Sequence, residues 1–316
     1  VDQLLGNRLT FGRVSVEELR IALSAQNRRQ LPAEVARLLP RPLPALPRFR
    51  AMGVAGIAGD QAMTDRFCAD IVAGRAPALA VMWLSEPDYT GHHSPLGAPP
   101  PRAAIAAADR CVSQVFETVR RLDPTGDDIL FVTGSDHGME TVSGAIDITG
   151  LLIAAGLKDA PDSHDVVVAP QGISATLFFS AAARGRAPAT ADFLRRENWA
   201  GRVVAGAELA QVGLPSDGAL QVAVAMATDD RVNPHGVRGF GAIVANPEDN
   251  ESKIGFGQHG GLGANEQNPF LIIEGGGFEP RRDSRPTSLI DIAPSVLRHL
   301  RMDHDDMDGR ALPLTA

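Results

Sequence analysis

The chain has 316 residues, of which 44% are hydrophobic and 22% are charged, and its formal net charge at pH 7 is −8. This composition is typical of a globular protein with one large or two ordinary domains. The negative charge argues against binding to a nucleic-acid polymer, although bound cations can still attract a small phosphate ester. No run reaches the roughly 20 continuous apolar residues that a membrane-spanning helix requires, so no membrane span is predicted.

The first part of the chain is predicted to be a connecting segment. Residues 1–60 contain helical patterns and a proline-rich stretch, LPRPLPALPRF, and prolines at this density break helices and central strands. The chain begins VDQLLGNRLT without an initiator methionine, so we expect it to be a piece of a longer protein. Residues 61–316 are predicted to form the catalytic domain.

Helical and strand patterns alternate after residue 60. DQAMTDRFCADIVAG predicts a helix that ends at Gly74, and ALAVMWL at 78–84 is typical of a buried parallel strand. A second helix is predicted over 101–123, and DILFVTGSDHG predicts a second buried strand. We expect one apolar stripe on the second helix, formed by Ile105, Val112, Val115, Phe116, Val119 and Leu122. This alternation predicts an α/β fold with a mostly parallel central sheet flanked by helices.

The two cysteines are predicted to be buried free thiols. Cys68 and Cys111 both lie in apolar patterns at helical spacing, and two cysteines are too few for a disulfide framework or a cysteine metal site.

The middle of the chain, 150–250, is predicted to be rich in β-strands. DVVVAPQGISATLFFS indicates two strands with a turn at Gln171–Gly172, ATADFLRREN indicates a helix and LQVAVAMA indicates a strand. Near the end, NPFLIIEGGGF predicts a strand followed by a glycine loop, and TSLIDIAPSVLRHL predicts an amphipathic helix with Pro294 in its first turn.

Three clusters of side chains have the chemistry of metal ligands. They are Asp88 with His92, Asp136 with His137, and His259, and all lie in glycine-bearing sequence. The first two follow predicted strands, and the carboxyl ends of parallel strands meet at one edge of a sheet, so we expect the clusters to converge. Carboxylate and imidazole groups suit Zn²⁺ and related ions. Each cluster alone is compatible with a turn, a cap or an exposed loop residue, and the metal site is predicted from the three together.

The motifs around these residues resemble a known family. EPDYTGH, SDHGM and QHGG, together with DIAPSVLRHL and MDGRALP near the end, are similar to the alkaline phosphatase superfamily and most similar to its nucleotide pyrophosphatase/phosphodiesterase branch. The similarity covers roughly residues 60–316 and is poor in the middle third. It implies the three-layer α/β sandwich of that superfamily, with the N-terminal part of the fold missing from this chain.

The resemblance also implies a two-metal site. Asp88, His92 and His259 would bind one divalent ion, and Asp136 and His137 the other. The ions would be Zn²⁺, with Mn²⁺ or Fe as alternatives, and together they can clamp a phosphoryl group. The implied activity is hydrolysis of phosphodiester or pyrophosphate bonds in a small phosphate ester such as a nucleotide.

Several alternatives stay open from the sequence. Phosphomonoesterases, phosphonate hydrolases and metal-dependent phosphoglycerate mutases share this ligand set, although Glu86-Pro87 before Asp88 favours the phosphodiesterase branch. A non-catalytic metal-binding module of the same fold, or coincidental motifs, would also fit. The resemblance favours a periplasmic or secreted location, with the cytoplasm as the alternative, and it leaves the oligomeric state open.

The nucleophile of the implied reaction is not evident in the chain. The family carries a threonine or serine nucleophile and a further aspartate before these motifs, so both are expected upstream of Val1. Within the chain, Asp60 and Thr64 in GDQAMTD are poor candidates, because the same residues also fit a cap at a helix start.

Overall fold

The computed structural model describes residues 56–245 and 253–315, which fall into two compact units. The first unit takes in 56–89, 103–133 and 271–315, and the second takes in 90–102 and the described part of 134–270. Nearly all of the predicted connecting segment, 1–60, lies outside the described residues. The predicted domain boundary therefore stays a prediction.

Helices and strands are both abundant in the described residues. The α-helices are, in chain order, α1 (Ile57–Arg66), α2 (Asp88–Gly91), α3 (Pro99–Leu122), α4 (Ile148–Ala154), α5 (Ala187–Arg195) and α6 (Ile292–His299). The strands are β1 (Phe131–Gly134), β2 (Glu140–Ile146), β3 (Val166–Pro170), β4 (Ser174–Phe179), β5 (Ala200–Ala205), β6 (Leu220–Met226), β7 (Thr228–Val232), β8 (Arg238–Val244), β9 (Gly257–Gln258) and β10 (Leu271–Glu274). The α/β class is thereby confirmed. None of the helices in the described ranges is both long and apolar enough for a bilayer crossing.

The first unit is built around α1 and α3. Helix α1 continues as a π-helical segment, Phe67–Ala73, and ends at Gly74 as predicted. Cys68 packs against Val115 and Val119 of α3, and both cysteines of the chain are buried free thiols, as predicted. The predicted stripe of α3 is partly wrong, because its two end members, Ile105 and Leu122, are exposed. The prediction assigned bulky residues to the buried stripe, whereas the buried face near the N-terminal end of α3 is formed by two small residues, Ala104 and Ala107.

The strand predicted at 78–84 is absent from the described structure. This segment has no regular secondary structure, and Val81 and Trp83 are 51% and 68% exposed. The sheet described for this unit consists of β1 and β10. An apolar run becomes a buried strand only where neighbouring strands and helices cover it, and its composition cannot show whether they do.

The second unit contains two four-stranded sheets, ordered β7-β8-β2-β9 and β3-β4-β6-β5. The predicted parallel pairing occurs between β2 and β8, whereas β2–β9, β7–β8 and every pairing of the other sheet are antiparallel. The predicted turn between β3 and β4 is confirmed, with Gly172 at a φ of +69°, where a glycine is strongly favoured. Large side chains of β4, β6 and α5 fill the core, among them Leu177, Phe179 and Leu194.

The remaining predicted elements lie where the sequence placed them. Helix α5 and strand β6 cover the two patterns in the middle of the chain, and β10 is followed by a glycine loop whose residues, Gly275, Gly276 and Gly277, all have positive φ. Helix α6 has Pro294 in its first turn, where its missing N–H costs no helical hydrogen bond.

Candidate metal centre

Three histidine rings meet in the second unit. The Nε2 atoms of His92 and His259 are 3.2 Å apart, although the residues are 167 positions apart in the chain. The rings of His137 and His259 are stacked, with centroids 3.6 Å apart and planes 20° from parallel. Three of the five predicted ligands are therefore neighbours in space.

The pairing of β2 with β9 explains why His137 and His259 meet. These strands are antiparallel, with Glu140 opposite Gln258 and Thr141 opposite Gly257. His137 precedes the start of β2 and His259 follows the end of β9, so both residues leave the same end of the ladder. Sequence-distant side chains become neighbours at such an end because the register fixes the backbones that carry them.

Glycines allow the His92 segment to approach this ladder. A Cβ on Gly257 would come within 3.0 Å of the Gly91 carbonyl oxygen, and one on Gly91 would come within 2.6 Å of the Met139 sulfur. Because neither glycine has a side chain, the end of α2 packs directly on Met139, the residue before β2, and on Gly257 of β9. His92 follows Gly91 and is thereby placed beside His259.

Backbone carbonyls orient two of the imidazole rings. Nδ1 of His92 lies 3.1 Å from the Gly257 carbonyl oxygen, and Nδ1 of His137 lies 3.0 Å from the Gly138 carbonyl oxygen. A carbonyl oxygen only accepts, so Nδ1 carries the hydrogen in both contacts and the neutral ring presents the lone pair of Nε2. Metal-binding histidines are typically held in this way by their second nitrogen.

The spacing of the nitrogen atoms fits a divalent ion. A tetrahedral zinc ion with Zn–N bonds of about 2.0–2.1 Å separates two ligand nitrogens by about 3.3 Å. The observed separation between His92 and His259 is 3.2 Å. The donor atoms of these two histidines therefore fit a shared ion.

Asp136 and His137 form a second pair of donors beside this one. Their Oδ2 and Nε2 atoms are 3.2 Å apart, and both side chains are partly exposed. Adjacent residues of a regular strand would face opposite ways. Here the backbone between β1 and β2 is irregular, so the two side chains can turn toward one point.

Asp88 opens helix α2, whose last residue, Gly91, directly precedes His92. Asp88 itself falls in the first unit, and its part in the ligand set stays a prediction.

The cap interpretation of Asp60 and Thr64 is wrong, because the N-cap of α1 is Gly56 and no side chain caps this helix. Their standing as poor nucleophile candidates is unchanged. Asp60 is 4% exposed and Thr64 is fully buried. The Asp60 carboxylate accepts hydrogen bonds from the backbone N–H and hydroxyl of Ser85 and from the N–H of Glu86. The Thr64 hydroxyl donates to the backbone carbonyl of Asp60. Asp60 thereby holds the turn that leads into α2, whereas the Thr64 bond lies within helix α1.

Two buried carboxylates near the histidine segments, Glu140 and Glu266, were not predicted from the sequence. Both are almost completely buried. Burial raises the pKa of Glu140, hydrogen bonds from Asn265 partly offset this effect, and the negative charges of Glu266 and Asp229 reinforce it.

Comparisons with known proteins give one family match. Residues 49–201 match the family model described as type I phosphodiesterase/nucleotide pyrophosphatase, a range that includes EPDYTGH and SDHGM. A search of curated proteins found no match.

The fold is similar to that of several solved structures. Human ectonucleotide pyrophosphatase/phosphodiesterase 5 has a TM-score of 0.54 and 16% identity, with 82% of this chain and 62% of that chain covered. The murine form has a TM-score of 0.54 and 17% identity with the same coverage. Wild-type alkaline phosphatase PafA has a TM-score of 0.60 and 13% identity, with 81% and 52% covered.

At these identities the solved structures show the fold, and the chain spans between about half and about two thirds of their lengths. The motifs predicted the same assignment as the family model. Residues 49–201 are therefore similar to the type I phosphodiesterase/nucleotide pyrophosphatase family, and the described fold is similar to that of alkaline phosphatase PafA and of the pyrophosphatase/phosphodiesterase structures.

Proposed function

We propose that the chain provides the metal centre of a hydrolase that cleaves phosphodiester or pyrophosphate bonds in a small phosphate ester such as a nucleotide. The observation that carries this proposal is the convergence of His92, His137 and His259, with facing Nε2 atoms 3.2 Å apart in the first and last of them. Supporting it, the family model matches the segments that carry the first two histidines.

The proposed centre holds two divalent ions. Asp88, His92 and His259 hold the first, and Asp136 and His137 hold the second. Mixed nitrogen and oxygen donors suit Zn²⁺, with Mn²⁺ or Fe as alternatives. When bound, the ions supply positive charge for the oxygens of a phosphoryl group.

The chain's own residues hold and orient this donor set. Hydrogen bonds from Nδ1 of His92 and of His137 to backbone carbonyls fix the ring orientations, so little rotation remains to be lost on binding. The net charge of −8 repels a phosphate ester at long range, and the cations offset that repulsion where the substrate binds.

Metal content tests the first half of the proposal. The purified chain is saturated with zinc, dialysed and analysed by inductively coupled plasma mass spectrometry beside two variants, His259→Ala and His164→Ala. His164 is an exposed loop histidine and serves as the matched control. We expect zinc to be retained by the wild type and the control and reduced in His259→Ala. Equal zinc in all three proteins would contradict the proposed centre.

Hydrolysis tests the second half, on the full-length gene product. We expect turnover of bis(p-nitrophenyl) phosphate to exceed that of p-nitrophenyl phosphate and phosphonoacetate, and to fall to background in Asp136→Ala. Preference for the monoester or the phosphonate would move the enzyme to another branch of the superfamily. Zinc binding without turnover of any of the three would indicate a non-catalytic metal-binding protein.

The proposed location, periplasmic or secreted, rests on the family resemblance alone. Cell fractionation with an antibody against the chain tests it, and recovery in the cytoplasmic fraction would contradict it.

A further inference from the structure

Glu266 holds the loop that follows His259. Its carboxylate accepts two backbone hydrogen bonds, from the N–H of Gly261 at 2.8 Å and from the N–H of Gly263 at 2.9 Å. The side chain is 1% exposed, so water does not compete for these bonds. A glycine loop has little conformational preference of its own, so contacts from outside fix its path. This carboxylate is one of them, beside the hydrogen bonds from the Ile173 N–H to the His259 carbonyl and from the Gln267 amide to the Gly261 carbonyl.

The backbone of the same residue is bonded to the His137 segment. The carbonyl oxygen of Glu266 accepts the N–H of Gly138 at 2.7 Å, and Gly138 directly follows His137. The packing here is so close that a Cβ on Gly138 would collide with the Asn265 carbonyl oxygen. Glu266 is thus bonded through its side chain to the His259 loop and through its main chain to the residue beside His137.

Glu140 holds the turn from Gly263 to Glu266 from the side of strand β2. It is fully buried at the start of β2, and it accepts hydrogen bonds from the backbone N–H and the side-chain amide of Asn265. A Cβ on Gly263 would contact carboxylate oxygens of both Glu140 and Glu266. The turn from Gly263 to Glu266 therefore has no room to shift against β2.

We infer that Glu266 is a positioning residue that sets the separation of His137 and His259, and thereby the zinc affinity of the centre. The inference about affinity rests on the proposed function, whereas the inference about ring separation stands on the hydrogen bonds alone. Residues that orient metal ligands from behind typically contribute a factor of about 10–100 to metal affinity.

The variant Glu266→Gln removes one of the two loop contacts with little change in shape. The glutamine oxygen can still accept from one glycine N–H, but its NH₂ group cannot accept from the other, and the main-chain bond to Gly138 is kept. We expect zinc affinity, measured by competition with a chromophoric chelator, to fall about 10–100-fold. In the zinc-free protein we expect weaker nuclear Overhauser contacts between the rings of His137 and His259.

Asp123→Asn is the matched control. Asp123 is also a buried carboxylate that accepts backbone N–H groups, from Gly126, Asp128 and Ile129, but it lies in the first unit, outside the histidine segments. A general loss of stability would affect both variants, whereas a positioning role predicts changes in affinity and ring contacts for Glu266→Gln only.

Each outcome separates the inference from the proposed function. Zinc binding that is equal in wild type and Glu266→Gln overturns the positioning role. If the wild type binds no zinc, the proposed function fails, and the contacts between the rings of His137 and His259 decide alone. Unchanged ring contacts in Glu266→Gln overturn the inference, and weaker ring contacts support it. If Glu266→Gln does not fold by circular dichroism, Glu266→Asp is measured in its place. It keeps both acceptors with a shorter reach, and wild-type affinity and ring contacts in it overturn the inference.

Discussion

Replacing Asp60 by asparagine is expected to destabilise the protein substantially, because this buried carboxylate organises the turn before α2. One of its oxygens accepts from the N–H and the hydroxyl of Ser85 at 2.9 and 3.0 Å, and the other accepts from the N–H of Glu86 at 2.9 Å. Asparagine is nearly isosteric and keeps one acceptor oxygen. Its NH₂ group replaces the other oxygen. Because this group is a donor, it would face either the donors of Ser85 or the N–H of Glu86, and that hydrogen bond is lost.

The magnitude follows from the lost bond. A hydrogen bond to a charged acceptor contributes about 1.5–3 kcal/mol, and leaving a buried donor without an acceptor costs about 1–3 kcal/mol. These two contributions describe the same contact and do not add fully, so we expect the free energy of unfolding to fall by about 2–3 kcal/mol.

Urea denaturation followed by circular dichroism measures this change, with Asp70→Asn as the control. Asp70 lies in the π-helical continuation of α1 and forms an ion pair with Arg66 at 3.1 Å, and both side chains are close to half exposed. Exposed pairs of this kind contribute about 0.3–0.5 kcal/mol, so the control should stay near wild type. A loss for Asp60→Asn no larger than the control's would refute the assignment of Asp60 as the residue that holds this turn.

Three further changes test other parts of the structure. Asp165→Asn removes the carboxylate beside the buried ammonium group of Lys158, 3.6 Å away, and should lower the free energy of unfolding at pH 7 by about 2–4 kcal/mol. Burial raises the pKa of Asp165. The opposite effect is larger: hydrogen bonds from a serine hydroxyl and from backbone N–H groups, together with the charge of Lys158, hold the pKa well below its usual value. The wild type is therefore more stable than the variant above the unfolded-state pKa of about 3.9, and this difference shrinks as the pH falls below it. Urea denaturation measures the difference in free energy of unfolding at pH 7 and at pH 3, and equal differences would contradict the expected pH dependence. Thr64→Val should lower the free energy of unfolding by about 1 kcal/mol, and zinc affinity measured by calorimetry should stay unchanged. Loss of zinc binding or of hydrolysis in this variant would show that Thr64 belongs to the site. Gly138→Ala should weaken zinc binding measured by calorimetry, since the added Cβ would collide with the Asn265 carbonyl oxygen. Unchanged zinc affinity would show that the backbone moves apart here without affecting the histidines.

The meeting of the histidines was predictable because it depends on where strands and turns end. His137 follows an apolar strand pattern, His92 follows a Glu-Pro-Asp turn, and His259 lies among glycines that allow close approach of the backbone. These are local signals, and the motif order added the expectation that they belong to one site. The antiparallel register of β2 with β9, which brings His137 and His259 into contact, could not be read from either segment alone.

The apolar run at 78–84 shows the opposite case. Its composition favours a buried strand, but burial and pairing are properties of the neighbours, and Trp83 is largely exposed. The same limit explains the error on α3, where Ile105 was placed in the buried stripe and the smaller Ala104 occupies it. Helix–helix contact selects residues by size as well as by polarity, and a hydrophobic pattern registers only polarity.

The burial of Asp60 and Glu266 was not predicted, because their sequence contexts are those of exposed residues. An acidic residue is normally at the surface, and only the backbone N–H groups that it meets reveal that it turns inward. One signal was present for Glu266: Gly260, Gly261 and Gly263 precede it, and the N–H groups of a glycine loop that packs closely need acceptors.

X-ray absorption spectroscopy at the zinc edge on the zinc-loaded chain tests the proposed centre most directly. We expect a shell of nitrogen and oxygen ligands at about 2.0–2.1 Å, with the multiple scattering of imidazole rings from at least two histidines. A shell of oxygen ligands without imidazole scattering, or a chain that loses its zinc on dialysis, would contradict it.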